Sequence, residues 1–333
     1  MELSPTPTTL QNHNDGEGVL AMNLQPLVSV GLPFYNNERT LPDAIRSVFA
    51  QTLANWELIM VDDGSSDGSL GLAESVEDAR VRVISDGENR KLPFRLNQIA
   101  QLAAGKYLAR LDADDLLHPQ RLEKQIAYLE NHPETDLVDT GMYLIDDTNI
   151  LLGARGLEPL RTSPAEALRS AVLNHATVTG KTQWFRDNPY DTSFVRRQDY
   201  ELWCRTCEHS VFARIPEPLY LVRKGRTEPR KYMASLPYYR RIFYMYGPRT
   251  VGWPRTLGYV AQTYITGAAC VMLSALGQKA VVQRRKARAL TQEELADGRK
   301  ALDTVLATEL PIRNAWHLNE KGTPPGNPYN TLA

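Results

Sequence analysis

Residues 57–68 read Glu-Leu-Ile-Met-Val-Asp-Asp-Gly-Ser-Ser-Asp-Gly, an apolar run that ends abruptly in acidic and turn-forming residues. The run predicts a short buried strand from Glu57 to Val61, and the polar residues predict a loop beyond its carboxyl end. Similar strands are predicted at Leu27–Leu32, Arg80–Ile84 and Lys106–Leu111, with helices between them. Short strands that alternate with helices predict an α/β fold with a doubly wound, mostly parallel sheet and helices on both faces.

Apolar residues at helical spacing follow the first of these strands. They are Leu41, Ala44, Ile45, Val48 and Phe49. Their 3.6-residue period predicts an amphipathic helix. Another helix is predicted from Asn97 to Ala104, and Gly105 is expected to end it as a left-handed cap.

A second acidic segment, Asp112-Ala113-Asp114-Asp115, follows the predicted strand Lys106–Leu111. Alternate carboxylates at a strand end can bind a hard divalent cation, so Mg²⁺ or Mn²⁺ is the expected cofactor, with Asp112 and Asp114 as metal residues. Such an ion bridges diphosphate oxygens and stabilises a departing nucleotide diphosphate. A structural alternative is that Asp115 caps the next helix while its neighbours face water.

Asp62 and Asp63 follow the strand Glu57–Val61 in the same way. There a carboxylate can accept hydrogen bonds from a nucleobase imide or from ribose hydroxyls. The alternative is a turn stabilised by aspartate side chains, since Asp-Gly-Ser-Ser-Asp-Gly favours turns. Neighbouring strand ends would bring the two acidic segments together, where they would repel unless a cation or hydrogen-bond donors lay between them.

Other classes of protein lose their main sequence support. No Gly-x-Gly-x-x-Gly follows the first strand and no Walker-type glycine-rich loop occurs, which argues against dinucleotide oxidoreductases and P-loop NTPases. Three cysteines are too few for a disulfide framework, and no secretory signal is visible at the N-terminus. These features predict a cytoplasmic protein.

Four stretches in a fixed order resemble the family 2 glycosyltransferases with a GT-A fold, a large bacterial group that builds polysaccharides and surface glycans. They are Val28–Glu38, Ser47–Thr52, Glu57–Asp67 and Gly105–Pro133. With a later segment they span roughly residues 26–225. Their occurrence together is far more specific than any single motif, and it implies a GT-A-type sheet in an enzyme that uses a nucleotide-activated sugar.

The resemblance also implies roles for individual residues. Three residues should line the nucleotide pocket, namely Pro33, Tyr35 and Glu38. Asp63 should bind the base while Asp62 supports its loop. Asp112 and Asp114 should hold the ribose and the metal-diphosphate.

Members of this family generally invert the anomeric carbon, which requires one general base on the acceptor side. The family places this base in a Glu-Asp pair that opens a helix. Here the corresponding segment is Arg196–Trp203, with Gln198 in place of the glutamate, so the resemblance assigns the base to Asp199. The alternative is an acid that complements the helix dipole.

Arg223 stands where many relatives of the resembling family have a histidine that contacts metal or phosphate. Arg223 and Lys224 follow the last predicted strand and are expected to bind the donor diphosphate. Ordinary surface charge is the alternative. His175 could border the acceptor pocket, although a lone histidine is more often structural.

The chain divides into four predicted segments. They are a flexible leader over residues 1–25, a nucleotide-sugar-binding and catalytic GT-A domain over 26–225, a basic helical C-terminal extension over 226–310 and a loose tail over 311–333. Within the extension, the capping box Thr291-Gln292-Glu293-Glu294 predicts a last helix that reaches about Leu306.

The C-terminal extension is strongly basic. From Arg223 to Arg288 the chain carries about fourteen Lys and Arg residues against the single acid Glu228, which suggests an acidic partner. No charge interrupts Thr256–Gln278. We expect an amphipathic helix there that packs on the domain or rests on anionic lipid, rather than one that spans a membrane.

These observations predict an inverting, metal-dependent glycosyltransferase of polysaccharide or surface-glycan biosynthesis. A UDP-sugar is the favoured donor and a glycan or lipid-linked glycan the acceptor, with no nucleic acid partner. Any membrane contact would be peripheral, at the inner face of the plasma membrane. A sugar nucleotidyltransferase is a weaker alternative because Leu32–Glu38 lacks a basic, glycine-rich phosphate loop. A non-catalytic scaffold of a glycan assembly complex is another, which the intact aspartates oppose.

Overall fold

The computed structural model describes residues 25–223, 229–275 and 287–313. Within this part of the chain the strands are β1 (Val28–Phe34), β2 (Trp56–Asp62), β3 (Val81–Ile84), β4 (Tyr107–Arg110), β5 (Leu116–Leu117), β6 (Leu137–Ile145), β7 (Leu151–Arg155), β8 (Thr179–Lys181) and β9 (Phe212–Arg223). The helices are α1 (Leu41–Phe49), α2 (Ser69–Glu74), α3 (Leu92–Leu102), α4 (Arg121–Asn131), α5 (Pro164–Ala167), α6 (Thr182–Asp187), α7 (Gln198–Thr206), α8 (Pro229–Met233), α9 (Leu236–Thr250), α10 (Trp253–Ala275) and α11 (Gln292–Ala307).

The strands form one sheet in the order β3-β2-β1-β4-β8-β6-β9-β5, with β7 paired to β6. β1 runs parallel to β2 and β4, and β2 runs parallel to β3, which gives the doubly wound half that the sequence predicted. Around β6 the sheet is mixed, because β6 is parallel to β9 but antiparallel to β7 and β8. The α/β class is confirmed, and the parallel arrangement is continuous only in the first half.

Helices cover both faces of the parallel half. Leu58 and Met60 of β2 belong to a core that also contains Ile45 of α1. Ile59 belongs to a second core together with Ile99 of α3. Because successive side chains of a strand point to opposite faces, this alternation places α1 and α3 on opposite sides of the sheet.

The register of the parallel strands aligns their carboxyl ends. Phe34 at the end of β1 lies opposite Asp62 at the end of β2, and Gly31 lies opposite Arg110 at the end of β4. The chain continues these pairings past the strands, since Asp63 N donates to Phe34 O at 2.8 Å. Both acidic segments therefore leave the sheet at the same edge.

The loop between α3 and β4 corrects one prediction. Gly105 does not have the positive φ expected of a left-handed cap. It is required by close approach, since a Cβ at this position would lie 2.5 Å from Ser29 N. The turn is fixed by Gly105 N, which donates to Ser29 Oγ at 2.9 Å, and by Ala104 N, which donates to Glu57 Oε1 at 2.7 Å.

Helix α11 packs against the mixed part of the sheet. Leu302 and Val305 share a core with Tyr143 of β6, and the Tyr143 hydroxyl donates to Asp297 Oδ2 at 2.8 Å. The capping box predicted at Thr291 is present, with both of its reciprocal hydrogen bonds. This helix therefore joins the C-terminal extension to the sheet.

Residues 311–313 differ from the predicted loose tail. Ile312 bridges to Val76, and Glu77 N donates to Pro311 O at 2.6 Å. These three residues are tied to the end of α2. Residues 1–24 of the predicted leader and residues 314–333 of the predicted tail lie outside the described residues.

We expect Gly105→Ala to lower the free energy of unfolding by about 2 kcal/mol, because the new β-carbon would collide with the β1 backbone. The control is Gly258→Ala in α10, where a Cβ meets nothing within 4 Å. Alanine favours a helix by about 0.8 kcal/mol over glycine, so this variant should be slightly stabilised. Urea unfolding followed by circular dichroism measures both, and equal stability of the two variants would contradict the close-approach explanation.

Candidate active site

An open cleft of about 210 Å³ lies at the aligned carboxyl ends of β1, β2 and β4. Its walls are formed by Pro33, Phe34, Tyr35, Asn37, Asp63, Leu92, Arg95, Asp112, Ala113 and Asp114. Five of these are residues that the sequence assigned to the nucleotide and metal sites, namely Pro33, Tyr35, Asp63, Asp112 and Asp114. The fold thus brings both acidic segments to one cleft.

Asp63 is held by donors from the start of α3. Its Oδ1 accepts from Arg95 Nε at 2.9 Å and from Arg90 N at 2.8 Å, and its Oδ2 accepts from Lys91 N at 3.1 Å. Arg95 has no exposed side-chain surface and also donates to Asp86 Oδ1 at 2.6 Å. These bonds fix the carboxylate in the cleft wall. The sequence patterns did not identify Arg95 as a site residue, because its partners come from separate loops.

Two other predicted residues are bound to neighbouring loops. Asp62 is 1% exposed and accepts from Ser65 N and from Ser85 Oγ, each at 2.9 Å. Glu38 Oε2 accepts from Gly68 N at 2.8 Å. Both carboxylates therefore hold the loop after β2. By contrast, Tyr35 is 48% exposed and presents an aromatic ring at the cleft.

The loop after β4 carries three carboxylates with different surroundings. Asp112 forms an ion pair with Arg110, and Asp112 N donates to the Tyr220 hydroxyl at 3.1 Å. Asp114 is exposed on the cleft wall. Asp115 is buried, and its Oδ1 accepts from the backbone N of Arg223 at 2.8 Å. Asp115 therefore ties the loop to β9, instead of capping a helix as the structural alternative proposed.

Loss of water contact and repulsion raise the pKa of two of these carboxyls. Asp114 keeps part of its surface in water, but the surrounding cleft wall displaces water from its carboxylate and, with the charge of Asp112, raises its pKa. Burial, followed by repulsion from Asp114 and Asp112, raises the pKa of Asp115 well above its usual value. A cation beside the loop would relieve this repulsion, so the oxygen ligands present fit Mg²⁺ or Mn²⁺.

The described residues contain no group of three or more His, Cys, Asp or Glu side chains arranged to hold a metal ion. An ion at Asp112 and Asp114 would therefore complete its coordination with ligand oxygens and water. Mg²⁺ commonly binds in this way, through one or two carboxylates plus substrate phosphates.

Arg223 lies behind the acidic loop. Its side chain is 6% exposed, and its Nη2 contacts Asp43 Oδ2 at 3.1 Å. The guanidinium thus has a partly buried partner, while its charge still acts on Asp114. A direct diphosphate contact stays a prediction for this residue. Lys224, predicted beside it, lies outside the described residues.

Arg110 connects the acidic loop to helix α7. Burial opposes its charge, but attraction from Asp112, two buried tyrosines and Asp199 raises the pKa of Arg110. Its Nε is buried and has no hydrogen-bond partner among the described residues. Asp199 lies in the first turn of α7. One feature of the sequence could have identified Arg110, since it is a basic residue at the end of an apolar strand.

His175 and Tyr190 lie beside Arg110. His175 Nε2 is 2.8 Å from the Tyr190 hydroxyl. Burial, followed by repulsion from Arg110, lowers the pKa of His175 well below its usual value. The imidazole is therefore neutral at physiological pH, and it packs against Tyr190 and Trp203.

Solved structures of glycosyltransferases share this architecture. The TarS fragment 1–349 of S. aureus, in complex with UDP-GlcNAc, has a TM-score of 0.55 at 15% identity and covers 85% of this chain and 81% of its own. The mannosyltransferase PcManGT from Pyrobaculum calidifontis, in complex with GDP-Man and Mn²⁺, has a TM-score of 0.51 at 16% identity and covers 85% and 87%. The fold is the GT-A fold of glycosyltransferases.

Sequence relatives place the chain within that class. The family model "Glycosyl transferase family 2" matches residues 29–194. EpsE of Bacillus subtilis (strain 168) is 37% identical over 213 residues, which are 61% of this chain and 75% of that protein. WfgD of Escherichia coli, a UDP-Glc:alpha-D-GlcNAc-diphosphoundecaprenol beta-1,3-glucosyltransferase, is 30% identical over 177 residues, 53% of this chain and 68% of WfgD. The chain belongs to glycosyl transferase family 2 and is a glycosyltransferase.

Acid should destabilise the protein through His175. Its lowered folded pKa means that the unfolded chain, with a histidine pKa of about 6.5, binds the proton first as the pH falls. Stability is therefore complete above that pH and declines below it. In wild type this proton uptake should lower the free energy of unfolding by up to about 1.4 kcal/mol for each pH unit between 6.5 and the pKa of folded His175. We expect His175→Gln to abolish this part of the pH dependence.

Urea unfolding at a series of pH values from 7.5 to 5 measures this slope. His209→Gln is the control, because His209 is exposed and should leave the slope unchanged. Burial also lowers the pKa of His118, so the free energy of unfolding should keep some dependence on pH in both variants. An identical pH dependence in wild type and His175→Gln would refute the assignment.

Proposed function

We propose that this glycosyltransferase moves a sugar from a nucleotide-diphosphate donor to an acceptor hydroxyl with inversion at the anomeric carbon. The observation that carries the proposal is the position of Arg110, whose charge interacts with Asp112 on the donor side and with Asp199 on α7. The carboxylate assigned to the donor site and the carboxylate assigned to the base thus both act on one buried cation, which supports placing them in one site. An inverting displacement requires a base on the face of the anomeric carbon opposite the leaving group.

The donor would occupy the cleft of about 210 Å³. Tyr35 offers an exposed ring for stacking on the base, and Asp63 offers carboxylate oxygens for the base imide. UDP is the favoured nucleotide, and the S. aureus TarS fragment of the same fold has been crystallised with UDP-GlcNAc. The Mn²⁺ complex of PcManGT supports a divalent ion on Asp112 and Asp114.

Asp199 would act as the general base. It lies in the first turn of α7, and its charge acts on Arg110 beside the acidic loop. The acceptor oxygen loses its proton to Asp199 as it forms a bond to the anomeric carbon. The bond from that carbon to the diphosphate oxygen breaks at the same time, and its electron pair leaves with the diphosphate. A bound Mg²⁺ or Mn²⁺ would stabilise the negative charge of the departing diphosphate.

The acceptor would be a glycan or a lipid-linked glycan, in polysaccharide or surface-glycan biosynthesis. WfgD, whose name specifies a diphosphoundecaprenol-linked acceptor, supports the lipid-linked alternative. Among the helices that the structure describes, none is long and apolar enough to cross a membrane. We place the enzyme in the cytoplasm, with peripheral contact at the inner face of the plasma membrane.

The mechanism predicts separable defects in two variants. With UDP-Glc, UDP-GlcNAc and GDP-Man as donors and Mg²⁺ or Mn²⁺ present, Asp199→Asn should lower transfer at least about 100-fold while retaining donor binding. Asp114→Ala should lose metal-dependent binding of the donor as well as transfer. Asp147→Asn is the control, since the Asp147 side chain is 71% exposed and has no part in the proposed mechanism.

Release of nucleotide diphosphate in the presence of a GlcNAc-diphospholipid and simple glycosides measures turnover, and calorimetry measures donor binding. Donor binding without turnover under any condition would support the scaffold alternative. Full activity of Asp199→Asn would overturn the assignment of the base.

A further inference from the structure

Helix α10 is packed along one face only. Thr256, Thr263 and Cys270 are buried at intervals of seven residues, and Val260 between them joins a core with Phe243 of α9. A Cβ at Gly247 of α9 would lie 2.5 Å from Thr256 Oγ1, so the two helices touch closely there. This packing fixes which side of α10 faces outward.

The outward side of α10 is apolar. Its large exposed residues are Trp253, Leu257, Tyr264, Ile265, Val271 and Met272, with exposures from 52% to 70%. At 100° per residue they occupy an arc of about 120° on the helix. The smaller residues within the arc, Pro254, Ala261 and Ala268, are also exposed and uncharged. We call this surface the α10 arc.

The segment that contains the arc is rich in positive charge. From residue 229 to residue 292 the chain contains eleven Lys and Arg residues and no Asp or Glu. Arg255 is exposed on α10 itself. Arg240 of α9 lies over Tyr264, with 4.2 Å between Cζ and the ring centroid. An apolar strip bordered by cations attracts a surface that is apolar below and anionic above.

We propose that the α10 arc docks the enzyme on the surface of an anionic lipid bilayer. The helix would lie in the interfacial plane, with Leu257, Ile265 and Met272 among the acyl chains. Trp253 and Tyr264 would lie at the headgroup level, where aromatic side chains with a polar atom are favoured. Arg240 and Arg255 would contact lipid phosphates. Over its described residues, α10 is not long and apolar enough to cross a membrane.

Charge complementarity selects lipid over a second copy of the chain. A dimer through the arc would bring two basic surfaces together, and the absence of acids from 229 to 292 leaves nothing within them to neutralise the repulsion. An anionic bilayer supplies both the opposite charge and an apolar layer. The proposal goes beyond the transfer reaction and does not depend on it, because its test measures binding to lipid.

The test compares two double variants that carry the same charge change. Leu257→Glu with Ile265→Glu alters the arc at residues that are 52% and 70% exposed. Ile150→Glu with Leu306→Glu is the control, at residues 59% and 40% exposed elsewhere on the surface. All four side chains are exposed, so both variants should unfold near the temperature of wild type, which scanning calorimetry checks.

Flotation with vesicles of phosphatidylcholine, with and without phosphatidylglycerol, measures binding of the full chain. Wild type and control should bind the phosphatidylglycerol vesicles, and the arc variant should bind at least about tenfold more weakly. Raising NaCl from about 0.1 M to about 0.5 M should weaken wild-type binding by screening. Failure of wild type to bind, or equal binding by both variants, overturns the proposal.

Analytical ultracentrifugation completes the test. Without vesicles, we expect wild type and the arc variant to sediment as species of the same mass. A wild-type dimer that becomes a monomer in the arc variant would assign the arc to self-association and overturn the lipid assignment. Donor turnover, measured without vesicles, should be equal in both variants and so separates this proposal from the catalytic one.

Discussion

The gathering of negative charge at one edge of the parallel sheet is the constraint on which the site depends. The register of β1, β2 and β4 fixes both acidic segments at neighbouring strand ends. Buried arginines offset part of this charge, with Arg95 on Asp63 and Asp86, and Arg110 on Asp112. Loss of water contact and the charge of Asp112 still raise the pKa of Asp114, so the acidic loop retains uncompensated negative charge.

The same buried charges connect the cleft to the rest of the molecule. Arg110 acts on Asp112 and on Asp199, so the acidic loop after β4 and helix α7 interact with the same buried charge. Arg121 lies beneath it, fully buried, and its Nη1 donates to Arg110 O at 2.8 Å. Burial lowers the pKa of Arg121 to about 10, which leaves it charged at neutral pH. Arg121 thus holds the end of β4 in place through the backbone carbonyl of Arg110.

Local patterns explain what could be predicted. The strand at Glu57–Val61 and the capping box at Thr291 depend on nearby residues, so the sequence identified both. Arg95, Arg110 and Tyr190 gain their importance from partners far away in the chain, which no local pattern contains. The sequence indicated that a glycine is needed at Gly105, but for the wrong reason. A helix cap is a local feature, whereas the close approach of Gly105 to Ser29 joins residues far apart in the chain. The ion pair of Arg223 with Asp43 was hidden in the same way.

The central claim is that one edge of the sheet binds nucleotide and metal through Asp63 and Asp114. A crystal structure of the full chain with UDP and Mg²⁺ tests it most directly. The account predicts uracil within hydrogen-bonding distance of the Asp63 loop, and an ion about 2.1 Å from an Asp114 oxygen and from the diphosphate. A nucleotide bound elsewhere, or a diphosphate held in the cleft by basic side chains with Asp112 and Asp114 turned away, would contradict it.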